Sequence, residues 1–247
     1  AVSRRFVALS AERLAEWMSE PLGDRDLRVI QIDGIHFHEQ VVLIALGIDA
    51  EGRKHLLGLR EGTTENSTVA RELLADLVDR GLSMDRPLLF VIDGGKGLRK
   101  AITDVFGKTA LVQRCQVHKR RNVLEHLPER MRPSVRQAMQ EAYESGDAVL
   151  AQKQLERLAR SLDRAHPGAA ASLREGLAET LTLQPLGIKG ALYRTLRSTN
   201  PIQNLNGLLG SLYAEREALA RWLHDPALDC SRNVRGTPPI PLHPRSC

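Results

Sequence analysis

The sequence is poor in cysteine, holds no long apolar run and shows only a slight charge imbalance. Its three cysteines, Cys115, Cys230 and Cys247, are an odd number without a repeating interval. A disulfide framework is therefore not expected, and a reducing compartment is favoured. No apolar stretch approaches the roughly 20 residues that a membrane-spanning helix requires; the longest, Val41 to Gly47, is far too short. The opening AVSRRFVALS lacks the apolar core of a secretory signal. No internal repeat or low-complexity tract is present. These absences predict a soluble, cytoplasmic protein with no membrane partner. The chain also begins at Ala1 without Met, which reads as a fragment or a trimmed product.

What is there suits a globular fold. The 247 residues are 42% apolar and 26% charged, enough to bury one large core or two smaller ones. The net charge of +5 and a pI of about 9.4 make a polyanionic partner plausible without deciding it. A leading helix is predicted over Ser10–Met18. Three apolar runs follow, Leu27–Asp33, Val41–Asp49 and Lys54–Arg60, linked closely enough to form an antiparallel meander. Asn66 or Ser67 can cap a helix whose Val69, Leu73, Leu74, Leu77 and Val78 make one stripe, stopped by Gly81. A fully apolar strand, Pro87–Asp93, leads through a glycine-rich turn, Gly94–Gly97, to a short helix and a strand at Ala110–Arg114. From Val117 the pattern is helical, with Pro167-Gly168 ahead of a helix at Ala169–Leu181. The last ten residues contain four prolines and predict a disordered tail.

Two aspartates stand where an apolar run ends and a glycine follows: Asp33 in QIDG and Asp93 in VIDGG. Either alone is ordinary turn chemistry. If the first and fourth strands are neighbours, however, both carboxylates emerge at one edge. They could then share a divalent cation of the hard kind that prefers oxygen ligands. The succession of three strands, helix and strand matches the ribonuclease H-like fold, whose acidic residues lie on its first and fourth strands. Two such ions can assist an in-line phosphodiester displacement.

The segments VIQIDGIHF, GIDAEGRKHLLGLREGTTEN, FVIDGGKGLRKAI, ALVQRCQVHKRRNVLEHLPE and STNPIQNLNG resemble those of Mutator-type bacterial insertion-sequence transposases. The resemblance covers roughly Ala1 to Gly207 and places five motifs in order. It implies an α/β, ribonuclease H-like core with an all-helical insertion and an Asp-Asp-Glu triad. It also implies two Mg²⁺ or Mn²⁺ ions, double-stranded DNA as partner, a homo-oligomer, and nucleoid association when DNA is bound. Asp33 and Asp93 would be the first two triad members and the metal ligands. The expected organisation is a leading segment 1–26, a core 27–116, an insertion 117–196, a core-completing helix 197–222 and a degenerate tail 223–247.

The third triad position departs from the family pattern: Gln203 stands where Glu is expected. Glutamine offers a metal one neutral carbonyl oxygen. It can equally serve a helix start, with Asn200 as N-cap, Pro201 at N1 and Gln203 at N3. Glu215 and Glu217 lie further on, but nothing in the motif selects them. Cys115 and His118 form a C-x-x-H element that the resemblance marks as a family motif; a structural zinc would need four ligands. His36 and His38 are left outside the catalytic set. The sequence after Gly207 suggests a frameshifted or decayed end.

Charge distribution says more than its total. Between Lys96 and Arg136 lie eleven basic and three acidic residues, a local excess of +8 against −3 for the rest. Lys96, Arg99, Lys100, Arg114, Lys119, Arg120 and Arg121 are the candidate phosphate contacts; Arg114 could equally make a salt bridge. The expected function is a transposase impaired by truncation and Gln203. A catalytically inactive DNA-binding remnant and a general nuclease on the same fold remain alternatives.

Overall fold

The computed structural model describes residues 12–37, 40–62, 67–107 and 110–203. His38, Asn66, Lys108, the helix and tail expected after residue 203, Glu215, Glu217 and the two later cysteines lie outside them. The fold is α/β. Strands β1 (Leu27–Phe37), β2 (Gln40–Asp49) and β3 (Lys54–Gly62) are followed by helix α1 (Ser67–Asp79), strand β4 (Leu89–Ile92), helix α2 (Lys96–Phe106) and strand β5 (Leu111–Arg114). The five strands form one sheet in the order β3-β2-β1-β4-β5. The first three pair antiparallel, whereas β4 and β5 join parallel through helical crossovers.

The β4 residues Leu89–Ile92 are all buried, the continuous apolar pattern of a central parallel strand covered on both faces. Ile30, Ile32, Phe90, Ile92 and Val112 pack against Leu73, Leu74 and Leu77 of α1 and Leu98, Ala101 and Ile102 of α2. Helix α1 stops where the Gly81 N–H donates to Val78 O and the Leu82 N–H to Leu77 O, the paired bonds of a Schellman cap. On the opposite face Val29, Leu89 and Val91 meet Leu183 and Leu196. Gln31 occupies the same rung as Val91 and Gln113. Its side chain is fully buried, and neither amide atom has a hydrogen-bond partner among the described residues.

Beyond β5 the chain is helical: α3 (Gln116–Glu125), α4 (Arg132–Glu144), α5 (Ala148–Leu162), α6 (Pro167–Arg174) and α7 (Gly190–Leu196), with short 3-10 turns at Glu129–Met131 and Ala178–Leu181. Val123, Val135, Met139, Tyr143, Leu155, Leu162 and Leu173 anchor a second core. Asp147 caps α5 by accepting from the N–H groups of Val149 and Leu150 at 2.8 and 3.0 Å. The helix expected over Ala169–Leu181 is shorter and begins earlier. Pro167 takes one of its first positions, where a missing N–H costs nothing, and the helix ends at Arg174. Glu175 is extended, and Gly176 turns left-handed at φ 59°.

Candidate active site

Strands β1 and β4 are hydrogen-bonded neighbours, and Ile32 pairs in register with Ile92. Asp33 and Asp93 each follow one residue beyond that rung, so two parallel strands deliver both carboxylates to the same edge. They line one narrow cleft with Gly34, Leu43, Ala70, Gly95 and Leu98. Asp33 is 7% exposed. Asp93 Oδ1 accepts from the Gly95 N–H at 2.9 Å, which fixes one oxygen and leaves the other for a ligand.

The end of β5 supplies the next group. The Cys115 N–H donates to Ile92 O at 2.7 Å, and the Gln116 N–H to Arg197 O at 2.9 Å. The start of α3 is thereby tied to the residue before Asp93 and to the segment leading to residue 203. Cys115 is fully buried and caps α3, its sulfur accepting from the His118 N–H at 3.5 Å. The Thr199 hydroxyl donates to the same sulfur at 3.7 Å. Burial pushes this thiol up, but hydrogen bonds from His118 and Thr199 outweigh it and hold the thiol below its ordinary pKa.

His118, one turn into α3, faces Gln203: their Nε2 atoms lie 3.1 Å apart. The amide donates to the ring nitrogen when that nitrogen carries no proton. The pKa of His118 is raised, first by the Cys115 side chain, against opposing burial, and further by the negative charges of Asp33 and Asp93. Its Nδ1 is buried without a hydrogen-bond partner among the described residues. Asp33, Asp93, His118 and Gln203 thus gather at one end of the sheet. The helix start differs from the capping expectation. Gln203 N–H donates to Thr199 O at 2.9 Å, which makes Thr199 the N-cap and shifts Asn200, Pro201 and Gln203 to N1, N2 and N4. Gln203 is therefore free of a capping duty, and its side chain goes to His118.

Comparison with known sequences shows the family. Residues 5–210 match the model of the family described as "Transposase, Mutator family". The chain belongs to the Mutator family of transposases. It is 32% identical over 203 residues to the transposase for insertion sequence element IS6120 of Mycolicibacterium smegmatis, covering 77% of this chain and 61% of that protein. It is 32% identical over 163 residues to the IST2 transposase of Acidithiobacillus ferrooxidans, covering 66% and 54%. The IS256 transposase of transposon Tn4001 from Staphylococcus aureus is 29% identical over 219 residues, with 83% and 55% covered. The chain therefore spans a little over half the length of these relatives.

In this Mutator-family chain the basic stretch after Asp93 divides into two groups. Arg114 and Lys119 are buried and committed to backbone carbonyls. The Arg114 guanidinium donates to Gly94 O and to Glu175 O. It fills a slot that exists because Gly94 and Gly176 have no side chain: a Cβ on either would collide with it, and both glycines have positive φ. Lys119 Nζ donates to Ser172 O and Glu175 O, at the C-terminal end of α6, where carbonyls lack helical donors and the helix dipole is negative. Burial, then repulsion from Arg114, pushes its pKa down to about 8. Neither side chain is placed to reach a phosphate. Sequence reading could not foresee this, because the partners lie 20 to 61 residues away and carry no motif.

The second group faces solvent. Lys96 is 89% exposed, 3.7 Å from Glu175. Lys100 pairs with Asp104 on the next turn of α2, and Arg99 with Glu179 at 2.6 Å. Arg120 is half-buried and Arg121 exposed, and neither forms an ion pair among the described residues. Surface pairs of this kind contribute little and exchange readily for a phosphate. Among the described residues no group of three or more His, Cys, Asp or Glu side chains could hold a metal, and no helix is long and apolar enough to cross a membrane.

Proposed function

We propose that this chain is the catalytic portion of an insertion-sequence transposase, built on a ribonuclease H-like core, that cuts and joins DNA strands by phosphoryl transfer. The observation that carries this reading is the Ile32–Ile92 register, which sets Asp33 and Asp93 side by side at the edge of the sheet. The strand order and the named insertion-sequence relatives support it. Two hard carboxylates suit Mg²⁺ or Mn²⁺, so Asp33 and Asp93 would hold the divalent cation. Such an ion, when bound, polarises a phosphate and eases deprotonation of the attacking hydroxyl. The chain's own residues orient the substrate: the cleft accepts the scissile phosphate, while Lys96, Lys100, Arg120 and Arg121 meet the flanking backbone as positive charges.

A second reading is favoured by one observation: the third position is neutral, and its amide nitrogen is taken up by His118. On that reading the chain binds duplex DNA but does not cut it. Cleavage and strand transfer on DNA carrying element ends, with Mg²⁺ or Mn²⁺, compared between the chain and its Gln203→Glu variant, tests both. Activity that rises with the carboxylate is the expected result. Equal activity would refute a role for position 203, and binding without cleavage by either protein would favour the inactive form.

A further inference from the structure

We propose that Arg114 is a positioning residue: its guanidinium fastens the turn that carries Asp93 to the segment following α6, and so fixes the direction of that carboxylate. The inference rests on the reading of Asp93 given above. The turn has few restraints of its own. Ile92 ends β4 and Lys96 begins α2, so Asp93, Gly94 and Gly95 bridge the sheet and the helix. Successive glycines are the most permissive backbone available, and Gly94 stands at φ 112°. Gly95, the N-cap of α2, has no side chain to cap it with. The local tie, from the Gly95 N–H to Asp93 Oδ1 at 2.9 Å, joins two groups that both move with the turn.

Arg114 links the turn to a part of the fold that is held elsewhere. It donates to Gly94 O on one side and to Glu175 O, at 3.0 Å, on the other. The Glu175 carbonyl also accepts from Lys119 Nζ. Further along, Thr180 O accepts from the side-chain amides of Gln113 and Gln116, both at 2.9 Å, and the Thr182 hydroxyl donates to Val112 O at 2.6 Å. The segment after α6 is thereby stitched to β5 and α3. A guanidinium presents its donors in a rigid planar fork, whereas an ammonium is a point charge on a flexible stem. Bridging two carbonyls from a slot walled by Gly94 and Gly176 is therefore a task for arginine. Lys96–Glu175 and Arg99–Glu179 join the same segment to α2 through side chains, but surface pairs restrain weakly.

The test is backbone ¹⁵N relaxation of the full chain and two variants. In the unchanged chain Gly94 and Gly95 should be as ordered as Phe90 and Val91 of β4, with order parameters of about 0.85. Arg114→Lys keeps the charge but cannot bridge both carbonyls. Its two glycines should fall below about 0.6 with β4 unchanged, a local signature that a uniform loss of stability does not produce. Glu175→Gln keeps the backbone carbonyl and should leave the turn ordered. Mobile glycines in the unchanged chain, ordered glycines in Arg114→Lys, or a turn loosened as much by Glu175→Gln would overturn the inference. Should Arg114→Lys not fold, Gly176→Ala, which crowds the guanidinium from the far side, takes its place. Strand cleavage is recorded beside relaxation: Arg114→Lys should lower kcat on the order of 10²-fold with KM for DNA unchanged, and an unchanged kcat would also overturn the inference. Cleavage by none of the proteins would refute the proposed function and leave relaxation to decide the role of Arg114.

Discussion

Replacing Arg114 by Met separates a structural role for this side chain from contact with DNA. The side chain is 9% exposed and donates to two carbonyls, those of Gly94 and Glu175. Hydrogen bonds to a charged group contribute about 1.5–3 kcal/mol each, so the two together are worth ~3–6 kcal/mol. The ion pair with half-exposed Glu175 at 4.0 Å adds at most about 1 kcal/mol and does not alter that range. Methionine keeps much of the apolar stem, so the loss comes chiefly from the two carbonyls left without donors. A deficit of that size is a large part of the roughly 5–15 kcal/mol that stabilises a typical domain. Urea unfolding measures it, and duplex binding at several salt concentrations is recorded beside it. Arg121→Ala is the control: stability within about 0.5 kcal/mol of the parent, and a salt-dependence slope smaller by about 0.9 if one phosphate contact is lost. An Arg114→Met chain as stable as the parent but with a flattened salt dependence would refute the structural assignment.

Three further outcomes are expected. Gly176→Ala should destabilise by about 1–2 kcal/mol from its left-handed backbone alone, and by more because the added Cβ collides with the Arg114 guanidinium. In the Arg114→Met background the penalty should shrink; equal penalties in both backgrounds would show that the two sites do not touch. Gln31→Met should stabilise the fold by about 1–3 kcal/mol, since two buried amide atoms without partners are removed at nearly constant shape; a lower unfolding midpoint would contradict the unpartnered amide. Lys119, with its pKa depressed from 10.5 to about 8, binds its proton less tightly folded than unfolded. Its unfavourable contribution is full below pH 8 and is relieved as pH rises toward 10.5. The parent should therefore gain stability relative to Lys119→Met across that window in urea unfolding, and a constant difference would exclude the depressed pKa.

The aspartate pair was legible because each apolar run ends in the same way, at an Asp-Gly, and because strand succession limits which strands can be neighbours. The +8 stretch was legible as charge but not as contact. Basic residues that look alike in sequence were sorted by packing into Lys96, Lys100 and Arg121, which face water, and Arg114 and Lys119, which hold distant carbonyls. The cap at Asn200 was misplaced by one residue, since Thr199 and Asn200 are both good capping types and the choice depends on which carbonyl accepts from Gln203. That single position releases Gln203 from the helix start and sends it to His118.

By itself the sequence determined the order and type of the strands and of the helices between them, through apolar periodicity and turn residues, together with the identity of the paired carboxylates and the neutral residue at position 203. Tertiary structure alone decided what those residues meet. Strand register put Asp33 beside Asp93, backbone ties from Cys115 and Gln116 carried α3 to both the second aspartate and the segment before Gln203, and glycines at 94 and 176 made room for Arg114. The reason is physical: periodicity is local and can be read along the chain, whereas a buried cation or amide is stabilised by groups far away in sequence that only the folded chain brings within hydrogen-bonding distance.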